Sequence, residues 1–268
     1  MMNRKMITVI SIFTALALAI AIVLNRPAFG RAPRGERLNR IERSSIYKNG
    51  RFVNKEPTPV MTSSGSRWRI VWDNLKERKP DNIIPSENMR AVKTDLKRLD
   101  LSRDAVVWFG HSSYLLIDGG KKILVDPVLT TGFPASLMMK PFKGTDIYVP
   151  EDIPEVDYLV ITHDHYDYLD YGTVMAVRNR VGKVICPLGV GEHFEYWGYL
   201  KEKITEMDWN EVFVSEDNLR ITCLPARHFS GRFLRRNPTL WASYMVEGTS
   251  TVYLGGDSGY GSHLVHIG

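Results

Sequence analysis

Cysteine is nearly absent: the 268-residue chain has two, Cys186 and Cys223, both in strand-like apolar runs. Two thiols cannot make the disulfide framework of a small secreted domain. One bridge or two buried core thiols are both compatible with the sequence, and two core thiols are the simpler expectation. There is no internal repeat and no low-complexity block, which excludes solenoid and fibrous architectures. Disorder over most of the length is excluded by 44% hydrophobic and 24% charged residues. The length suits one large domain or two small ones.

Charge is uneven. Residues 1–100 hold 20 Lys and Arg against 9 Asp and Glu, a balance of +11, whereas residues 101–268 carry −6, for a net +5. The basic part suggests either a surface for anionic partners, anionic lipid among them, or a solvated arm without a partner. The acidic part suits a cation-binding catalytic domain and argues against a broad nucleic-acid groove.

Arg4 and Lys5 precede an apolar run from Ile7 to Leu24. Eighteen helical residues reach roughly 27 Å, about the thickness of a bilayer core. A cleaved signal peptide, with Ala28 and Gly30 near the cleavage point, competes with an uncleaved anchor. Basic residues flank both ends of the run, so orientation is undetermined. Either way the chain is expected to be membrane-associated or exported. Residues 1–25 are read as signal or anchor, and 26–66 as a basic linker or arm rich in Arg, Ser, Asn and Pro. Residues 67–268 are read as the catalytic domain.

Ser66–Ile84 has a mixed, partly helical pattern. From Ala105 onward the pattern is β-rich. Ala105–Phe109, Tyr114–Ile117 and Lys122–Val125, split by turn residues such as Asp118-Gly119-Gly120, predict an antiparallel meander. Val156–Ile161 is a compact apolar strand. A helix is expected at Tyr171–Arg180, and strands at Lys183–Cys186, Leu219–Leu224, Trp241–Val246 and Thr251–Leu254. The order predicts a sheet-rich α/β domain with helices outside.

The apolar strand runs straight into Thr162-His163-Asp164-His165-Tyr166-Asp167-Tyr168-Leu169-Asp170. Two imidazoles and a carboxylate at i, i+2 and i+4 on a strand-end loop suit zinc or a similar divalent ion. They cannot complete a metal site alone. His228 and Asp257 each follow an apparent strand and fit as further ligands, with glycines beside Asp257 letting the backbone turn sharply. A lone His228 is equally compatible with a surface or core histidine, and a lone Gly-Asp-Ser-Gly with a plain turn.

With Phe109-Gly110-His111-Ser112-Ser113-Tyr114-Leu115, Leu124-Val125-Asp126-Pro127 and Gly255-Gly256-Asp257-Ser258-Gly259-Tyr260, this ordered set resembles the metallo-β-lactamase superfamily. The likeness is to the branch that holds the N-acylphosphatidylethanolamine-hydrolysing phospholipase D and its bacterial relatives, over roughly residues 40–268. The resemblance implies an αββα four-layer sandwich with a dinuclear site at one sheet edge. It implies one metal on His163, His165 and His228, Asp257 as a bridge, and Asp167 on a second metal, orienting the nucleophile. One or two Zn²⁺ ions are expected, with other divalent metals also compatible. His111 is the foremost polar candidate outside the ligand set, with a structural role in a strand turn as the alternative. Arg227 or Arg232 are candidates for a phosphate contact. Phe229, Trp209 and Trp241 are candidates for an acyl path or for the core.

Two features depart from the family pattern. Tyr168 stands where the family has a further His, and a phenol is a poor zinc ligand at neutral pH. The chain also stops at Gly268, which is read as a C-terminal truncation; His263 and His266 do not match the family's last ligand. The implied activity is a metal-dependent phosphodiesterase on an N-acylated phospholipid. A lactonase or other hydrolase of the same fold, and a non-catalytic metal-binding protein, are the alternatives.

Overall fold

A computed structural model describes residues 4–58, 66–77, 83–137, 139–232 and 235–267. Its centre is a six-stranded mixed sheet. β3 (Ala105–Gly110), β4 (Ser113–Asp118) and β5 (Lys121–Val125) form the expected antiparallel meander. β6 (Val156–Val160), β7 (Val181–Pro187) and β8 (Ile204–Met207) continue from β5 in parallel. A second, antiparallel sheet is built from β9 (Val212–Val214), β10 (Arg220–Leu224), β11 (Ser243–Glu247) and β12 (Thr251–Leu254). Its strand order is β12-β11-β10-β9.

Side-chain alternation in the parallel strands builds two cores. Ile123, Val125, Tyr158, Val160 and Ile185 face the second sheet and pack with Ile221, Cys223, Tyr244 and Val246. Their neighbours Leu124, Leu159, Val184 and Cys186 face the other way, onto Val174, Val177, Phe194 and Trp197. Those residues belong to α4 (Tyr171–Val177), to α5 (Gly191–Tyr196), and to Trp197, which caps α5. The described residues therefore form a helix–sheet–sheet stack. Strands buried on both faces explain the continuous apolar runs that marked them in the sequence. Cys186 and Cys223 are free, buried thiols.

The 26–66 segment is not a linker along its described length. After the 3₁₀ turn Pro27–Phe29 come α2 (Gly35–Glu42) and a hairpin of β1 (Tyr47–Lys48) and β2 (Arg51–Phe52). Ile41 and Phe52 are fully buried in the intersheet core. Arg31 and Arg37 pair with the buried Glu192, and Arg37 also reaches Glu195 at 3.0 Å and Glu206 at 2.6 Å. Arg40 pairs with Glu211 at 2.7 Å. Part of the basic excess is thus neutralised inside the chain, by the acidic half it was contrasted with. Polar composition concealed this, because two apolar anchors suffice to dock a charged segment whose partners are carboxylates.

α1 (Arg4–Leu24) is helical over 21 residues and exposes Ile12, Phe13, Leu16, Leu18 and Ile22. The side chains of Arg4, Lys5, Ile7, Thr8 and Ala19 lie outside the description, and among the described residues no helix is long and apolar enough to cross a membrane. α3 (Arg67–Lys76) leaves Trp68 and Trp72 exposed. Residues 59–65 and 78–82, which the sequence placed in the arm and in a mixed helical stretch, lie outside the described residues.

Candidate metal centre

Three strand-end loops meet at one edge of the sheets. The first leaves β6 and carries His163 and His165, then closes with Asp170, whose carboxylate caps α4 by accepting from Thr173 N at 3.1 Å. The second follows β10 and carries His228. Asn54 clamps it by donating to His228 O at 2.8 Å and accepting from His228 N at 3.1 Å. The third follows β12 and carries Asp257. Gly256, at φ 56°, lets this loop lie against Thr162, where a Cβ would stand 2.8 Å from the Thr162 Cβ.

His163 Nε2 lies 2.9 Å from His165 Nδ1, and His228 Nε2 lies 3.2 Å from that same atom. Ligand nitrogens about 2.0–2.1 Å from a tetrahedral ion stand roughly 3.3 Å apart, so the donor set fits one such ion. Asp257 Oδ2 is 3.3 Å from His228 Nε2, at the open side of the cluster. Burial holds all three imidazoles below their ordinary range; His163 is lowered further by His165 and His228, and His228 falls to about 4. Neutral imidazoles are the form a cation needs.

Behind the ligands lies a shell that was not singled out in the sequence. Thr162 donates from its amide and hydroxyl to Asp126, each at 2.8 Å. Its hydroxyl is also 3.1 Å from His163 Nδ1. As the donor to Asp126, that hydroxyl accepts from His163 Nδ1–H and leaves the Nε2 lone pair for a metal ion. Burial pushes Asp126 up to about 8, against the two bonds from Thr162.

Asp164 is fully buried and accepts from Gly231 N at 2.7 Å, Thr239 Oγ1 at 3.0 Å and His193 Nε2 at 3.2 Å. Arg31 N donates to His193 Nδ1 at 3.0 Å, which fixes the His193 proton on Nε2. Burial raises the Asp164 carboxyl, but His193, the Gly231 amide and the Arg232 guanidinium outweigh it and hold it well below the usual carboxylate range. Alternation within the motif was the one available signal: the residue between two ligating histidines must point away from the metal, toward the interior.

Asp167 turns to His111, with Oδ2 at 3.3 Å from Nε2. Burial raises the Asp167 carboxyl, yet the His111 hydrogen bond leaves it below its usual range, and the same bond raises His111. His111 sits at φ 47°, in the left-handed region, at the turn between β3 and β4. Tyr168 is buried between His111 and His163, with ring centroids 5.2 and 4.2 Å away. Its hydroxyl meets Ser112 Oγ at 2.9 Å, and burial pushes the phenol up to about 12. A neutral phenol engaged by a serine is a poor substitute for a second-metal imidazole.

Arg232 is not an exposed loop arginine. It is buried, donating to Asp164 O, Leu169 O and Ala28 O, so it holds backbone rather than presenting charge. Trp209 and Trp241 belong to the core, whereas Phe229 is exposed beside His228. His263 packs on Ser258, Oγ to Nε2 at 3.0 Å; the His266 side chain lies outside the described residues.

An uncharacterised protein of Mycobacterium tuberculosis is 40% identical over 234 residues, covering 85% of this chain and 61% of that protein. N-acyl-phosphatidylethanolamine-hydrolyzing phospholipase D 1 of Caenorhabditis elegans is 32% identical over 244 residues, 82% of this chain and 65% of that protein. The chain thus spans less than two thirds of these curated relatives. The crystal structure of a diiron beta-hydroxylase from Streptomyces venezuelae aligns with 58% of this chain and 30% of its own, at 26% identity and a TM-score of 0.45. Residues 121–267 match the family described as the beta-lactamase superfamily domain, a stretch that includes all three loops of the histidine centre. The chain belongs to the beta-lactamase superfamily and has its metallo-β-lactamase fold.

Proposed function

We propose that the protein is a metal-dependent hydrolase, a phosphodiesterase acting on N-acylated phosphatidylethanolamine-type phospholipid. The observation that carries the hydrolase reading is the convergence of His163 Nε2, His165 Nδ1 and His228 Nε2 beside the Asp257 and Asp167 carboxylates. A divalent ion held by these residues, zinc in our proposal, would supply Lewis acidity and activate water at neutral pH. Asp257 closes the open side of the cluster. Asp167 orients the attacking water, and its bond to the half-exposed His111 raises that imidazole and favours its protonated form. From there His111 delivers a proton to the leaving alkoxide. Tyr168 stays protonated beside it and contributes a hydrogen bond rather than a ligand.

The substrate assignment draws on the likeness to the Caenorhabditis elegans phospholipase and on the exposed apolar side chains of α1, which suit contact with a lipid surface. Full-length protein given N-acylphosphatidylethanolamine vesicles is expected to release phosphatidic acid, and His165→Ala to lose at least about a hundredfold in rate. No release across a phospholipid panel, with hydrolysis of soluble lactones instead, would replace the substrate assignment. Full activity in His165→Ala would remove the metal centre. Fractionation with and without residues 1–25 tests the membrane location; a soluble intact chain contradicts it.

A further inference from the structure

A cavity of about 510 Å³ opens beside His228, walled on one side by residues 51–58 and on the other by 227–237. Small-molecule sites are commonly this size. The two walls are distant in sequence but are stitched together. Phe52 N donates to Asn237 O at 3.0 Å, Asn237 Nδ2 returns a bond to Phe52 O at 2.9 Å, and Asn54 holds the His228 backbone as described above. The cavity is therefore a built cleft that shares His228 with the metal centre.

Its charge is lopsided. Arg51, Arg227 and Arg236 line it against one carboxylate, Glu56, which already accepts from Ser262 N at 3.1 Å. None of the three arginines is in an ion pair among the described residues, unlike Arg31, Arg37 and Arg40 of the same chain. Arg227 uses two of its donors, on Thr58 Oγ1 and Tyr260 O, which fixes its plane and leaves others free. Arg236 lies over the Phe229 ring, 4.9 Å from its centroid. A stacked guanidinium is pre-oriented and presents its edge to a ligand.

We propose that this cleft is an anion subsite for a phosphate ester, gripped by Arg51, Arg227 and Arg236 with carbon skeleton against Phe229. Three forks from both walls suit a tetrahedral anion with several oxygens better than a planar carboxylate. The proposal rests on the reading of the histidine cluster as the reactive centre and adds what seats the substrate beside it. It also gives the N-terminal hairpin a place in recognition, since Arg51 comes from β2.

The test uses full-length protein and two probes, soluble glycerol 3-phosphate and phosphatidic acid vesicles. Binding is compared for the wild type, Arg51→Ala/Arg236→Ala and Arg51→Lys/Arg236→Lys. Both altered residues are exposed, and thermal melts confirm that the variants fold. The double alanine variant is expected to bind at least about tenfold more weakly, with a shallower salt dependence, and the lysine variant to recover part of the loss. The stronger of the two responses identifies a free phosphate ester or a lipid headgroup as the source. Equal binding of both probes by wild type and double alanine variant overturns the subsite. Hydrolysis with unchanged KM in the double alanine variant also overturns it while leaving the hydrolase standing. Arginine-dependent binding without hydrolysis keeps the subsite and removes the hydrolase reading.

Discussion

His193 Nε2 donates to Asp164 Oδ2 at 3.2 Å, joining α5 to the middle of the His-x-His-x-Asp loop. Because Arg31 N occupies the other ring nitrogen, the bond has one direction. It ties the N-terminal arm, the α5 layer and the ligand loop into one unit. The same carboxylate holds Gly231 and Thr239, so it also sets the loop behind His228.

Asp164→Ala removes the acceptor of three donors, two of them buried, and the counter-charge of buried Arg232. It is expected to cost about 3–5 kcal/mol in urea unfolding of the metal-free protein. A loss below about 1 kcal/mol would show that Asp164 is dispensable to this junction.

Thr162→Val keeps the shape of the side chain and deletes the hydroxyl between His163 and Asp126. Metal affinity, measured by competition with a chelator, should fall about 10–100-fold, since the His163 tautomer loses its lock. Unchanged affinity would mean that Asp126 and Thr162 serve the strand end alone.

Tyr168→His restores an imidazole where the phenol now meets Ser112. Elemental analysis should rise from about one ion per chain toward two. Two ions in the wild type, or no gain in the variant, contradicts this. Tyr168→Phe, which removes only the 2.9 Å contact, should leave metal content unchanged.

The metal-free protein should lose stability as pH falls from about 6.5 to about 4. Folded His228 titrates near 4, and the unfolded side chain near its ordinary value of 6.5. Between those values the unfolded state binds more protons, so stability rises with pH there and acid favours unfolding. His163 and His165 shift in the same direction and together outweigh the raised Asp126 carboxyl, which works the other way. A melting temperature that stays flat across this window in metal-free protein contradicts the prediction. Saturating zinc should raise the melting temperature near neutral pH and steepen its fall in acid, because protons and metal compete for the same nitrogens.

Ile41→Ala is expected to cost about 2–5 kcal/mol, as a fully buried core residue would. A surface-like effect within about 0.5 kcal/mol would return residues 26–54 to the status of a detachable arm.

Short apolar runs and strand-end histidines were legible in the sequence because they are local. The meander, β6 and β12 fell within a residue of their expected bounds. α5 was missed: it is a six-residue helix opened by glycine, too short to show a 3.6-residue period. The fates of Arg232 and Asp164 were hidden for a different reason. Each is a charged residue whose partners lie more than 25 positions away, and sequence neighbours say nothing about such distant compensation. His163, His165 and His228 were found by type and spacing, but that Asp167 faces His111 depends on a left-handed turn at a non-glycine residue.

The 3₁₀ turn at Pro27 is pinned to the domain, with Trp197 Nε1 donating to Pro27 O at 2.8 Å and Arg232 holding Ala28 O. α1 ends at Leu24. Only Asn25 and Arg26 intervene, so the leash between the apolar helix and the first pinned residue spans about 10 Å at full extension. A domain on so short a leash cannot roam. Wherever α1 lodges, the reach of the histidine cluster is confined to what lies within that short connection of the helix.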